Sequence, residues 1–265
     1  LPHSPTHQRD ETAAMSHSLE GHTVHRYDGE LNNLHLRVLE MGGLVLDQVR
    51  HALRALQDKD TGFANTVLER EHEVDNLELG IDDDVITMIA KRGPVARDLR
   101  VIMSISKTIT DLERVGDEAA RIGHIAKAIY ESERSAPSGH LMRDVIKMAQ
   151  LAVVMLQEAL EAFDSLNATH ARALVCRENE LDQEFQSSLR RLATFLLEDA
   201  RNVGHAIHIV LLIKSIERIG DHARNIAEYV IYMVRGEDVR HRLGSYCDTE
   251  DSQKTASETG KDTKR

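Results

Sequence analysis

Four pairs of acidic residues are the feature of this sequence best suited to chemistry. Each pair is a glutamate followed four residues later by an aspartate: Glu71 and Asp75, Glu113 and Asp117, Glu178 and Asp182, and Glu217 and Asp221. On a helix, residues four apart share one face with Cβ atoms about 6 Å apart, so each pair sets two anions side by side at a cost of a few tenths of a kcal/mol. Some positive charge must offset this repulsion.

Two sources of positive charge fit the pattern. Hard metal ions bind carboxylate oxygens, and paired acids on neighbouring helices can bridge more than one ion. A lattice of salt bridges is the alternative, since Asp117 has Arg121 within helical reach and Asp221 has Arg224. The pairs lie beside the apolar residues of their segments, which favours the metal. Both explanations stay open at the level of the sequence.

Gly116 and Gly220 lie inside the same segments as two of the pairs. A glycine inside a helix costs about 1 kcal/mol relative to alanine. We expect a local reason for this cost, which is either a crowded site beside the carboxylates or the close packing of a neighbouring helix.

Histidines give weaker signals of metal or phosphoryl chemistry. An oxygen-activating di-iron bundle needs two Glu-x-x-His motifs, and only Glu69 and His72 have that spacing. Neither His51 nor His124 is followed by a sequence typical of a phosphotransfer histidine. Three further histidines are candidates for additional nitrogen ligands or for ordinary solvated side chains: His205, His208 and His222.

The sequence contains none of the common catalytic motifs. Phosphate-binding loops, the dinucleotide glycine fingerprint, His-Glu-x-x-His and Gly-x-Ser-x-Gly are all missing. We therefore predict a protein that is not an enzyme. A metal-dependent hydrolase or redox enzyme using the carboxylates is the alternative.

Composition indicates a helical protein without nucleic-acid or membrane-spanning segments. Of its 265 residues only 3% are aromatic and only four are proline, which argues against most β-sandwiches and barrels. The net charge of −11 disfavours nucleic-acid binding, and no apolar run approaches 18 residues. Two cysteines, Cys176 and Cys247, are too few for a disulfide framework and fit a reducing compartment. We expect a cytoplasmic protein that meets membranes only peripherally.

Apolar periodicity predicts six long helices. The third follows Gly93 and Pro94 and runs to Tyr130, because this dipeptide ends a helix. The others span about 28–57, 60–91, 141–165, 169–197 and 203–235. Asn167 or Thr169 is the expected N-cap of the fifth helix. Long helices joined by short loops form antiparallel bundles.

The second half of the chain repeats the first, which is its most informative property. The segment around Glu71 aligns with that around Glu178, and the segment around Glu113 aligns with that around Glu217. The sequence thus predicts an all-α fold of two tandem three-helix bundles related by internal duplication. The predicted units are a disordered leader (1–27), two repeats (28–134 and 135–243) and a disordered polar tail (244–265).

At this level of detail the sequence resembles a known family. Residues 91–109, 111–117 and 215–228, together with Met41-Gly42-Gly43, are similar to the PhoU family of phosphate-specific transport system accessory proteins. The duplicated Glu-Arg-x-Gly-Asp signature is the most specific part of the match, which covers about residues 28–243.

The resemblance implies a function that the residues alone do not give. It implies a cytoplasmic, usually dimeric negative regulator of the phosphate-starvation response, which links the ATPase of the phosphate ABC transporter to a PhoR-type sensor histidine kinase and restrains phosphate uptake. It also implies iron or zinc, or another divalent metal, bound by the Glu/Asp-x-x-x-Asp motifs, which here map onto the four acidic pairs. No organic cofactor is expected.

Overall fold

The computed structural model of the chain describes residues 25–131, 139–177, 179–198 and 203–240. Within these ranges the chain is almost entirely helical and contains no strand. The helical segments, in chain order, are α1 (His25–Asp58), α2 (Thr61–Glu69), α3 (Glu71–Arg92), α4 (Ala96–Tyr130), α5 (Gly139–Asp164), α6 (Ala168–Cys176), α7 (Asn179–Glu198) and α8 (Val203–Arg235). The all-α prediction with six long helices is confirmed, although two of the six are interrupted.

The two interruptions fall at equivalent places in the two repeats. The second predicted helix divides into α2 and α3 at Arg70, and in the fifth α6 ends at Cys176 and α7 begins at Asn179. At the first break the Arg70 amide donates to the carbonyl of Val67, and the Glu73 amide donates to the carbonyl of Arg70, so both bonds span three residues instead of four. Apolar periodicity did not reveal the breaks, because the apolar spacing continues through them.

Helix ends follow the expected local chemistry. The side chain of Asn167 accepts hydrogen bonds from the amides of Thr169 and His170, both at 3.0 Å, and so provides the predicted N-cap of α6. Gly93 ends α3 in the left-handed conformation, with φ 54°. Helix α1 begins at His25, three residues before the predicted start. The predicted boundary between the repeats at 134/135, residues 1–24 of the predicted leader and the predicted tail lie outside the described residues.

The third helices of the two repeats, α4 and α8, pack against each other at the centre of the molecule, and α1 packs against α5 beside them. In the first repeat α2 and α3 lie against α1 and α4; in the second, α6 and α7 lie against α5 and α8. Buried apolar side chains form one continuous core that includes residues of both repeats, such as Val115 and Ile219. Each three-helix bundle therefore depends on the other for part of its burial.

Buried polar contacts also join α4 to α8. Nδ1 of His222 lies 2.6 Å from Oδ1 of Asp111, a residue that is 4% exposed. The guanidinium of Arg218 donates to Glu118 at 2.7 Å. These contacts run in opposite order along the two helices, so α4 and α8 are antiparallel.

Two remaining sequence expectations concern the membrane and the cysteines. Among the described residues, no helix has both the length and the apolar character needed to cross a bilayer. Cys176 is disulfide-bonded, whereas Cys247 lies outside the described residues. The bonded state of Cys176 withdraws the argument for a reducing compartment that the two cysteines suggested.

Candidate cation-binding site

The acidic residues of the first repeat lie on two helices that pack side by side. Glu71 and Asp75 are on the first turns of α3, and Glu113 and Asp117 are on α4. Their charges act on one another across the helix pair. Burial and, to a smaller extent, the neighbouring charges of Asp117, Glu78 and Asp75 together raise the pKa of Glu113 to about 7.

Asp117 lies on the same helix one turn further along and is more exposed than Glu113. Burial raises its pKa, and the charges of Glu71 and Asp75 on α3 add to this effect, while Arg121 opposes it. No ion pair joins Glu113 or Asp117 to a basic side chain within the part of the chain that the structure describes. The negative charge of this face is therefore left without a strong internal counterion.

Two acidic residues of the same face were missed by the search for Glu-x-x-x-Asp pairs. Glu78 follows Asp75 by three residues and Asp82 follows Glu78 by four, so both extend the same stripe of α3. Burial raises the pKa of Glu78, and the neighbouring Thr110 on α4 opposes the increase. Ser106 donates to Asp82 at 3.2 Å. The helical spacing of these residues is the signal that would have found them.

The second repeat places Asp182 on α7 and Glu217 and Asp221 on α8, while Glu178 lies outside the described residues. Burial and, after it, repulsion from Glu217 and Asp182 together raise the pKa of Asp221 to about 6. Here a basic group is close, because the ammonium of Lys214 lies 2.6 Å from Glu217.

The salt-bridge alternative accounts for the two repeats unequally. Arg224 reaches Asp221 at 3.9 Å, as expected from its position on the helix. In contrast, Arg121 pairs with Glu118 at 3.6 Å rather than with Asp117. Salt bridges thus compensate part of the second repeat and leave the first largely uncompensated.

The donor chemistry of the first repeat fits a hard cation, since its groups are carboxylate oxygens with excess negative charge. In the described ranges, however, no three side chains of His, Cys, Asp or Glu are arranged to hold a metal ion. A cation would therefore have to draw the carboxylates of α3 and α4 together. His222, a candidate nitrogen ligand, is instead bonded to Asp111 of the other repeat.

Helix packing explains the two glycines. At Gly220 the side chain of Leu181 occupies the space that a Cβ atom would need. At Gly116 a Cβ atom would lie 3.4 Å from the Gln48 side chain and 3.5 Å from Val74, which is ordinary contact. Both neighbours belong to helices of the same repeat, so the glycines permit close packing within each bundle.

Fold and site together define a class of protein: a duplicated three-helix bundle with an acidic face on the second and third helices of each repeat. The PhoU domain matches the chain twice, over residues 38–126 and 145–230. The chain therefore belongs to the PhoU family, which confirms the resemblance read from its motifs.

Relatives and solved structures agree with this assignment. A phosphate-specific transport system accessory protein PhoU homolog of Pseudomonas aeruginosa is 42% identical over 224 residues, which cover 84% of this chain and 91% of that protein. PhoU of Escherichia coli is 34% identical over 231 residues, 87% of this chain and 94% of that protein.

The crystal structure of PhoU from Pseudomonas aeruginosa superposes with a TM-score of 0.74 at 40% identity and covers 80% of this chain and 100% of its own. The phosphate transport system regulatory protein PhoU from Streptococcus pneumoniae gives a TM-score of 0.73 at 27% identity, with 80% and 99% coverage.

Proposed function

We propose that this protein is a negative regulator of the phosphate-starvation response that couples the phosphate ABC transporter to a PhoR-type sensor kinase. The observation that carries the proposal is the double PhoU match over both helical repeats. Relatives over nearly the whole helical region are named phosphate-specific transport system accessory proteins, which supports a role in regulating phosphate transport.

Gene replacement tests the regulatory role. We expect this chain, produced in a Pseudomonas aeruginosa strain that lacks its own PhoU, to restore low alkaline phosphatase activity in phosphate-rich medium. Gly220→Leu, which places a large side chain against Leu181, is the matched loss-of-fold control. Gly43→Ala, at a glycine with no neighbour within 4 Å, is the neutral control. If alkaline phosphatase activity stays high although this chain is present at the normal level, the proposal is contradicted.

The proposed partners are the transporter ATPase and the sensor kinase, with the protein acting in the cytoplasm as a homodimer. Pull-down of each partner by the tagged full chain tests the coupling, and analytical ultracentrifugation tests the dimer. If the chain restores low alkaline phosphatase activity but captures neither partner even with crosslinking, the proposed coupling of transporter and kinase is wrong.

The proposal includes no catalytic activity. Carboxylate-bound metals can support hydrolysis, so purified protein with added divalent metal is to be assayed for phosphate-ester hydrolysis. We expect no turnover above that of the Glu113→Gln, Asp117→Asn double variant. Turnover that this double variant abolishes would favour the enzymatic alternative.

We also propose that the acidic pairs of the first repeat bind iron, zinc or another divalent cation. The support is the stripe of carboxylates on α3 and α4, where burial and then mutual repulsion raise the pKa of Glu113 and Asp117. A bound cation would supply the missing positive charge and tie α3 to α4. Side chains proposed to hold it are Glu71, Asp75, Glu113 and Asp117, and their counterparts in the second repeat are Glu178, Asp182, Glu217 and Asp221.

Thermal unfolding distinguishes a cation site from a repulsive surface. In the presence of the metal, the Glu113→Gln, Asp117→Asn variant should unfold at a lower temperature than the wild type, because only the wild type is stabilised by the bound ion. In EDTA the same variant should be equal or more stable, because repulsion is removed. If the substitution changes the unfolding temperature in the same direction with metal and with EDTA, and elemental analysis of untagged protein finds no metal, the acidic face is a repulsive surface and not a cation site.

A further inference from the structure

The two repeats differ along the face that carries the acidic pairs. In the first repeat this face continues with polar residues: Glu78, Asp82, Ser106 and Thr110. The repeat offsets of 107 residues for the second helix and 104 for the third place different residues in the second repeat: Phe185, Leu189, Val210 and Lys214. An extended acidic stripe is thus replaced by apolar side chains and a single lysine.

The lysine is held against the acidic residues of its own repeat. Nζ of Lys214 lies 2.6 Å from Oε2 of Glu217, whose side chain is only 15% exposed. The same ammonium lies 5.5 Å from the centre of the Phe185 ring. Both contacts favour a cation at this position, the first by ion pairing and the second through the negative face of the ring.

Lys214 lies on the face of α8 that carries both acids of that helix. It precedes Glu217 by three residues and Asp221 by seven, so the three side chains lie on one face. In the first repeat the equivalent residue is Thr110, whose hydroxyl donates to the carbonyl of Ser106 at 3.2 Å and brings no charge. The two repeats therefore offer their carboxylates different counterions.

We propose that Lys214 is the built-in cation of the second repeat, so that its acidic residues do not take up a divalent metal and the first repeat alone does. This inference rests on the cation binding proposed above for the first repeat. A divalent ion at Glu217 would have to displace the ammonium or lie beside it, and like charges held at one carboxylate repel.

Exchange of the two equivalent residues tests the inference, with Mn²⁺ alone as the probe in titration calorimetry and elemental analysis. We expect the wild-type protein to bind Mn²⁺. The Glu113→Gln, Asp117→Asn variant should not bind it, and the Glu217→Gln, Asp221→Asn variant should bind it as the wild type does. Lys214→Thr should gain about one further Mn²⁺ per chain. Thr110→Lys should bind Mn²⁺ at least about tenfold more weakly.

Lys147→Thr is the matched control, because Lys147 is also ion-paired to a carboxylate of the second repeat, Glu184, away from the acidic pairs. This variant should gain no Mn²⁺. Loss of Mn²⁺ binding on substitution of Glu217 and Asp221 would overturn the inference. So would a Lys214→Thr variant that binds Mn²⁺ at the first repeat but gains no further ion.

A metal-free measurement keeps the inference testable if no variant binds Mn²⁺, a result that would count against the proposed cation binding itself. In EDTA, Lys214→Thr should unfold a few degrees below the wild type. Adding Glu217→Gln and Asp221→Asn to that variant should raise its melting temperature back towards that of the wild type, because no acid is then left that needs a counterion. An unchanged melting temperature in Lys214→Thr would overturn the role of Lys214.

Discussion

Arg218 of α8 donates a hydrogen bond at 2.7 Å to Glu118 of α4, and so joins the two repeats through a carboxylate whose side chain is 5% exposed. The two residues are 100 positions apart in the sequence. Arg121 lies 3.6 Å from the other oxygen of Glu118. The buried charge of Glu118 thus depends mainly on a partner from the opposite repeat.

Loss of this partner should destabilise the fold. We expect Arg218→Ala to lower the free energy of unfolding by about 1–3 kcal/mol, because Glu118 stays buried with only Arg121 nearby. Arg114→Ala is the matched control, since Arg114 holds the equivalent position in the first repeat and is exposed; its effect should be within about 0.5 kcal/mol. Urea unfolding measures both, and equal losses would show that the cross-repeat contact contributes nothing specific.

The paired glycines should respond in opposite ways to alanine. Gly220→Ala should lower the free energy of unfolding by about 1–2 kcal/mol, since the new Cβ atom displaces the buried side chain of Leu181. Gly116→Ala should be neutral or stabilising by up to about 1 kcal/mol, because alanine favours the helix and meets only ordinary contacts. Thermal or urea unfolding of both variants is the measurement. A loss at Gly116 as large as that at Gly220 would contradict this account of the packing.

The acidic face of the first repeat should make metal-free protein less stable as pH rises. The pKa of Glu113 increases from 4.5 to about 7 on folding, so ionised Glu113 is disfavoured in the folded chain. The stability that protonated Glu113 contributes is present below pH 4.5 and is lost as pH rises through 7.

Glu113→Gln should therefore be more stable than the wild type at pH 8 in EDTA, by about 1 kcal/mol after allowance for solvent screening, and equal to it at pH 4. Glu73→Gln, at an exposed residue of α3, should differ from the wild type by less than about 0.5 kcal/mol at both pH values. Urea unfolding across the pH range is the measurement. A pH-independent difference for Glu113→Gln would exclude the raised pKa.

His35 should make the fold sensitive to acid. Its ring stacks on Phe163 of the other repeat, with centroids 4.8 Å apart, and burial lowers its pKa from 6.5 although Asp164 opposes this. Stability from neutral His35 is present above pH 6.5 and is lost as pH falls below it.

The variant His35→Phe keeps an aromatic ring against Phe163 and removes the titrating group. Between pH 7 and pH 5 we expect it to lose less stability than the wild type, by about 1 kcal/mol for each unit by which the pKa is lowered. Urea unfolding at each pH is the measurement. If both proteins lose the same free energy of unfolding between pH 7 and pH 5, His35 is not the acid-sensitive group.

Local spacing was enough to predict the helices, their duplication and the sharing of one face by the acids of each pair. Residues four apart meet on any α-helix, and the glycine that ends α3 and the asparagine cap of α6 act through their own neighbours. These features depend on backbone geometry within a few residues, which the sequence contains in full.

The tertiary structure decided which faces meet and therefore which charges find partners. His222 binds Asp111, Arg218 binds Glu118, and the ammonium of Lys214 lies over the ring of Phe185. Each choice depends on the packing of α4 against α8 or of α7 against α8, which burial of apolar side chains far apart in the chain imposes. Spacing along one helix cannot specify such contacts, because it fixes the direction of a side chain but not the helix that it faces.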